Sequence, residues 1–188
     1  MMDLMLLRLY QRQVVFQCNA VLFGAQDMQP IGQHPRFWHG AQNLIIGAGN
    51  LSKTLWGTGN KDERNRRFAD RQPLRDSLGV TDASPLRRVD IRNDYEHLDE
   101  RLERWWAEST HHNYVGEMIG PRGSIGGAGI GDKDILRWFD QSTGDLIFWG
   151  NELNVPVVLA EVRKLLPIAA AEAEKSHYDS SKKAGGGQ

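Results

Sequence analysis

From residue 3 to residue 107 the apolar side chains return every three or four positions, a period that α-helices satisfy and strands do not. The first run covers 3–26, where Leu4, Leu7, Tyr10, Val14, Cys18, Val21 and Ala25 fall on one face. After a turn marked by Pro30 and Gly32, a second run covers 35–56 with Phe37, Ala41, Leu44, Ile45, Ala48, Leu51 and Leu55. Gly47 and Gly49 lower the helix propensity of this second run but let a neighbouring helix come close. A third, polar segment over 61–79 is interrupted by Pro73 and closed by Gly79, a residue suited to a helix C-cap. Ser84 and Pro85 make an N-cap and first-turn pair for a fourth helix over 85–107, whose seam is Ile91, Tyr95, Leu98, Leu102 and Trp105. A chain patterned this way is committed to helices packed side by side.

The pattern stops at 109–133, where seven glycines lie between Gly116 and Gly131. This tract reads as a flexible loop. It lacks the Gly-Lys-Ser/Thr of a phosphate-binding loop and follows no predicted strand. Beyond it, 135–139 and 146–149 are rich in apolar and aromatic residues, and Gln141 to Asp145 supplies turn chemistry for a β-hairpin. Asn154 and Pro156 then start a last helix toward Lys175, with a kink expected at Pro167. The expected division is a helical bundle over 1–108, the glycine-rich loop over 109–133, the hairpin and helix packed on the bundle over 134–176, and a disordered tail over 177–188. The fold class is mainly α: an antiparallel helical bundle with a C-terminal β-hairpin and an extra terminal helix.

Charge and cysteine content exclude several functions. The formal net charge is -1, so any affinity for nucleic acid must come from a local patch. A single cysteine, Cys18, permits neither an internal disulfide nor a cysteine-based zinc site, and its apolar neighbours make it a core residue rather than a nucleophile. No apolar run approaches the roughly 18 residues of a membrane span, and the N-terminus carries Asp3 and Arg8 without a cleavage site. A cytoplasmic protein without membrane contact is expected.

The segment Arg92-Asn93-Asp94-Tyr95-Glu96-His97 carries the sharpest chemistry. A histidine moves protons near neutral pH, and an arginine holds a phosphate and stabilises its developing charge. RNA brings its own nucleophile, the 2′-hydroxyl, so such a pair needs neither metal nor cofactor. Positions five apart lie about 140° apart around a straight helix. Either the arginine bends toward the histidine, or two copies pool their pairs in one cleft across a two-fold axis. Asn93 lies between the two on the helical wheel and is placed to orient either one.

This segment, late in an antiparallel bundle, resembles the motif of the HEPN superfamily (higher eukaryote and prokaryote nucleotide-binding domains), an arginine and a histidine separated by four to six residues. The arginine followed by a polar residue, here Arg92-Asn93, resembles the form in the family's ribonucleases. The resemblance implies a four- to five-helix bundle, a homodimer and metal-independent RNA cleavage. Arg92 and His97 would be the catalytic pair, Asn93 their support, and an antitoxin-like protein the partner. Helices from about 3 to 107 match that architecture; the glycine tract, hairpin and final helix lie outside its minimal form. Some family toxins carry a tyrosine two positions after the histidine that a partner enzyme modifies. Here that position is Asp99, so this form of regulation is not implied.

Each feature also has a structural reading. Arg92, Asn93, Glu96, Asp99, Glu100, Glu103 and Arg104 suit the solvated face of an amphipathic helix, in which case the same fold serves as a noncatalytic binding or scaffold protein. Residues 64–92 are locally basic; Arg64, Arg67, Arg71, Arg75 and Arg88 are candidate RNA-backbone contacts, or equally a solvated helix face. His111-His112 lacks a nearby carboxylate or cysteine, so no metal site is expected. Trp105-Trp106 and the hairpin aromatics are able to stack bases, but such residues more often fill cores.

Overall fold

A computed structural model describes residues 2–32, 34–87, 91–125 and 130–176. Its described residues are mainly helical, with a small four-stranded sheet near the C-terminal end. The long helices α1 (Leu4–Asp27) and α2 (His34–Trp56) match the first two periodic runs. Asp3 caps α1 by accepting from the Met5 amide at 2.8 Å and the Leu6 amide at 3.3 Å. The two helices cross with their backbones nearly touching: a Cβ built on Gly40 would lie 2.6 Å from the Gly24 carbonyl oxygen. Val14, Cys18, Val21, Phe37, Leu44, Ala48 and Leu51 are all sealed in the resulting core. Burial pushes the Cys18 thiol up to about 12, consistent with an inert core residue.

The third segment is two helices, α3 (Lys61–Asp70) and α4 (Gln72–Leu78). A reciprocal capping box between Asn60 and Glu63 starts α3. Pro73 opens α4 rather than merely interrupting a longer helix, and Gly79 ends it in the left-handed region at φ 64°.

The single fourth helix expected over 85–107 is instead three pieces. Pro85–Arg87 is a 3-10 turn on which the Ser84 hydroxyl accepts from the Leu86 amide at 3.3 Å. After residues 88–90, which are outside the described set, come α5 (Ile91–Glu96) and α6 (Leu98–Glu108), broken at His97 with φ -111° and ψ 39°. The break changes which side chains face inward. Ile91 is buried and Tyr95 and Leu98 pack against the core, but α6 has no fully buried residue and Leu102 is exposed.

The expected hairpin is the centre of a larger sheet: β1 (Met118–Ile119), β2 (Arg137–Asp140), β3 (Asp145–Phe148) and β4 (Asn151–Asn154), in that spatial order. β1 runs parallel to β2 and the other pairs are antiparallel, so part of the glycine-rich tract is edge strand rather than free loop. Alternation divides the sheet. Phe139, Leu146, Phe148 and Leu153 join the main core, whereas Trp138 and Ile147 form a second small cluster with Ile135. The sheet is thus a wall of the core.

α7 (Val155–Ala173) starts where expected, with the Asn154 side chain accepting from the Val157 amide at 3.0 Å, and it continues helical through Pro167. It packs along α1. The tail expected over 177–188 lies outside the described residues. Among those residues no helix is long and apolar enough to cross a membrane.

Candidate functional site

The arginine–histidine segment is anchored by what lies between its polar residues. Ile91 and Asp94 are buried, and the Tyr95 ring lies 5.3 Å from the Phe148 ring of β3. This leaves Arg92 facing α2 and Asn93, Glu96 and His97 exposed. Arg92 runs directly over Gly49, where a Cβ would come within 1.8 Å of its Cδ. Its side chain is only 11% exposed and pairs with Glu96. The other Glu96 oxygen lies 3.5 Å from Lys53 Nζ of α2, so one carboxylate is held between two cations. His97 turns the other way: its Nδ1 lies 3.4 Å from Glu100 and its side chain is 49% exposed. Within one copy Arg92 and His97 thus engage different carboxylates, the arginine tucked in and the histidine half-exposed.

The structure sorts the candidate RNA-contacting arginines. Arg67 donates to the Thr58 carbonyl at 2.7 Å, and Arg71 stacks over the Tyr10 ring at 3.7 Å with its Nε buried and unpartnered. Both line a cleft of about 400 Å³ with Lys53, Arg66 and Asp70. Four cations thus meet one carboxylate. Arg64 instead reaches the Gly59 carbonyl at 3.4 Å and is not part of that lining. Arg75 is a correction to the sequence reading. It is 1% exposed and donates to the Leu55 carbonyl at 2.7 Å, the Phe68 carbonyl at 2.8 Å and Gln72 at 2.6 Å. Its guanidinium closes helix ends, and burial draws its pKa down, an effect opposed by Asp82 and Asp76. Arg88 lies outside the described residues.

Sequence reasoning passed over Lys53 and Arg66 as site residues. Lys53 sits in the apolar second helix and has no local charge pattern around it. Its role follows only from where α2 meets α3 and α5.

A larger cleft, about 750 Å³, opens between α6 and the sheet. The buried Asp94 lines it, held by Arg101 at 2.8 Å and by the Asn151 amide. Asp134 lines it too. Partial burial works to raise the pKa of this carboxyl, but hydrogen bonds from the Gly131 amide, the Trp105 indole and Ser109 outweigh it and hold it below the usual aspartate value. His112 packs on Trp106 at 4.2 Å and shares a hydrogen bond with its carbonyl, while His111 lines the large cleft. Among the described residues no three histidine, cysteine, aspartate or glutamate side chains are grouped to hold a metal ion.

Comparison with models of known protein families, with curated proteins and with solved structures returned no match.

Proposed function

We propose that the chain is a metal-independent endoribonuclease of the HEPN type, acting in the cytoplasm through Arg92 and His97, with Asn93 in support, at a cleft that two copies complete. The observation that carries this reading is the position of Lys53. It lines the basic cleft beside Arg66, Arg67 and Arg71, and it also contacts Glu96 inside the arginine–histidine segment. The basic surface and the motif are therefore neighbours, as an RNA strand crossing both requires.

In this reading the strand's phosphates displace Glu96 from Arg92 and Lys53. The 2′-hydroxyl attacks the adjacent phosphorus, its proton passing to a base, and the 5′-oxygen leaves with a proton. The half-exposed His97 then moves one of these protons, and Arg92 stabilises the charge that builds on the phosphate. The second copy enters because within one copy Arg92 and His97 are engaged with different carboxylates. Leu9, Phe16 and Phe23, exposed at intervals of seven along α1, support self-association, since a second copy could cover such a stripe. An enzyme that cuts cellular RNA also needs restraint, and the reading includes an antitoxin-like protein partner.

A second reading has its own observation. The separate ion pairs of Arg92 and His97 within one copy suit a noncatalytic HEPN-like binding or scaffold protein. Incubating the purified chain with single-stranded RNA in a chelator separates the two. Cleavage to a 5′-hydroxyl and a cyclic or 3′-terminal phosphate, lost in His97→Ala by roughly 10²–10⁴-fold, is expected. DNA, lacking the 2′-hydroxyl, stays intact. RNA binding without cleavage selects the second reading.

A further inference from the structure

The 750 Å³ cleft between α6 and the sheet has no part in the nuclease chemistry, yet it is larger than the basic cleft of about 400 Å³. One wall is Arg101, Arg104 and Trp105 of α6 with Asp94 of α5; the other is Lys133, Asp134, Trp149 and Asn151. That second wall comes from the sheet and its approach, outside the helices that carry the family resemblance.

Each wall residue offers a specific chemistry. Trp105 donates its indole N–H to Asp134 at 2.9 Å, and Trp149 donates its own to the Lys133 carbonyl at 2.8 Å. With both N–H groups spent and both rings thereby oriented, each indole has only ring surface left to offer, and the Trp105 ring is further held by Tyr114 at 5.1 Å and His112 at 5.9 Å. Asn151 gives one amide hydrogen to Asp94, whose other oxygen takes Arg101. Its remaining N–H and its carbonyl oxygen form an adjacent donor and acceptor, the pattern that matches a base edge. The lining holds three cations and three carboxylates: Arg101 pairs with Asp94 and Lys133 with Glu108 at 3.3 Å, while Asp134 takes hydrogen bonds from neutral donors. Arg104 has no ion-pair partner among the described residues and stands exposed on the lining. Arg104 is the one arginine or lysine of this lining without an ion pair among the described residues, and it suits one phosphate, unlike the track of cations in the smaller cleft.

We infer that this cleft receives a single unpaired base of an RNA strand, stacked on Trp105 and Trp149, with the phosphate of the same nucleotide on Arg104. The volume falls in the range of small-ligand sites, roughly 300–1,000 Å³. The inference rests on the RNA reading and deepens it. Asp94 belongs to the segment that carries Arg92 and His97, so a base lodged beside Asp94 brings its strand to that segment. Bases inside a duplex are stacked and unreachable, which restricts the substrate to single-stranded or looped RNA.

The test uses the full chain and free 5′-nucleoside monophosphates (AMP, GMP, CMP, UMP), followed by tryptophan fluorescence, with ribose 5-phosphate and inorganic phosphate as controls. Saturable binding of at least one nucleotide at about 1 mM or tighter is expected, and none of either control. Trp105→Ala weakens it roughly 5- to 150-fold. Trp105→Phe, which keeps a ring face, retains most of the affinity and guards against a variant that fails to fold. Arg104→Ala removes the advantage of a nucleotide over its nucleoside while leaving nucleoside affinity unchanged. Controls that bind as tightly as nucleotides, or wild-type protein that saturates with no nucleotide, overturn the inference. Its failure is separable from that of the nuclease reading. Nucleotide binding without RNA cleavage removes only the nuclease, and cleavage without nucleotide binding removes only the base site.

Discussion

Arg92 lies where it does because residue 49 has no side chain. An alanine there would put a Cβ 1.8 Å from Arg92 Cδ, and the flexible arginine rather than the helix backbone would yield. Gly49→Ala should therefore leave stability within about 1 kcal/mol, because alanine's better helix propensity offsets the lost packing. It should nonetheless depress RNA cleavage as Arg92→Ala does, as read by thermal melting beside a cleavage assay; full activity in Gly49→Ala would separate Arg92 from the chemistry. Glu96 gives the complementary test. Its carboxylate stands between Arg92 and Lys53 where a phosphate would sit. Glu96→Gln should tighten RNA binding and steepen its salt dependence by about 0.7 in log–log slope for each further phosphate neutralised, measured by fluorescence anisotropy across a salt series. Unchanged affinity and slope would mean the two cations never meet RNA. At this scale the sequence was half legible. The close approach at Gly49 and the core placement of Cys18 followed from residue type and neighbours. Lys53 did not, because a lone lysine in an apolar helix carries no local signal of what it faces.

Helix starts and the central hairpin were readable and the outer strands of the sheet were not, for a physical reason. A helix satisfies its own backbone, so its caps and period are local, as Asp3, Asn60, Gly79 and Asn154 show. β1 and β4 are short and owe their conformation to pairing with β2 and β3, which no local pattern announces. The break at His97 was equally hidden, since the apolar spacing of 91–105 continues through it. Arg75 shows the same limit: inside a basic segment it reads as surface, yet it satisfies two backbone carbonyls at helix ends. Arg75→Ala should cost about 3 kcal/mol in urea melts and leave the salt slope of RNA binding alone, whereas Arg66→Ala should do the reverse. The loops around the sheet carry a pH signature. Hydrogen bonds from Ser142 and from the Arg122 amide hold Asp140 below the usual aspartate value, and Asp134 is depressed as well. A depressed folded pKa contributes stability that is fully present above the unfolded value, about 3.9, and is lost as pH falls through the folded one. The melting temperature should thus hold level from neutral pH to about 4 and then drop, and Asp134→Asn should shrink that drop. An acid limb identical in that variant would assign the loss to other carboxylates.

For the whole molecule the question is whether one chain is a complete catalyst. Arg92 is tucked against α2 and His97 faces outward toward Glu100, so the nuclease reading needs a second copy to supply the missing partner at each cleft. Two-fold symmetry divides the shared cleft into two equivalent halves, each a catalytic cleft drawing arginine from one chain and histidine from the other. That arrangement makes a prediction a self-sufficient monomer does not. Arg92→Ala protein and His97→Ala protein are each inactive alone, because every cleft lacks one group. Mixed and allowed to exchange, half of the pairs contain one of each, and in those pairs one cleft joins an intact arginine to an intact histidine. Activity should return to about a quarter of wild type, half of the pairs each with one working cleft of two. Phe16→Glu, which places a charge on the exposed stripe of α1, should abolish this rescue along with the pairing seen by light scattering, since a carboxylate cannot be buried there without a partner. A mixture as inactive as its components, while light scattering still reports exchanged pairs, would mean that no cleft is shared, and the arginine and histidine would then act, if at all, within one chain.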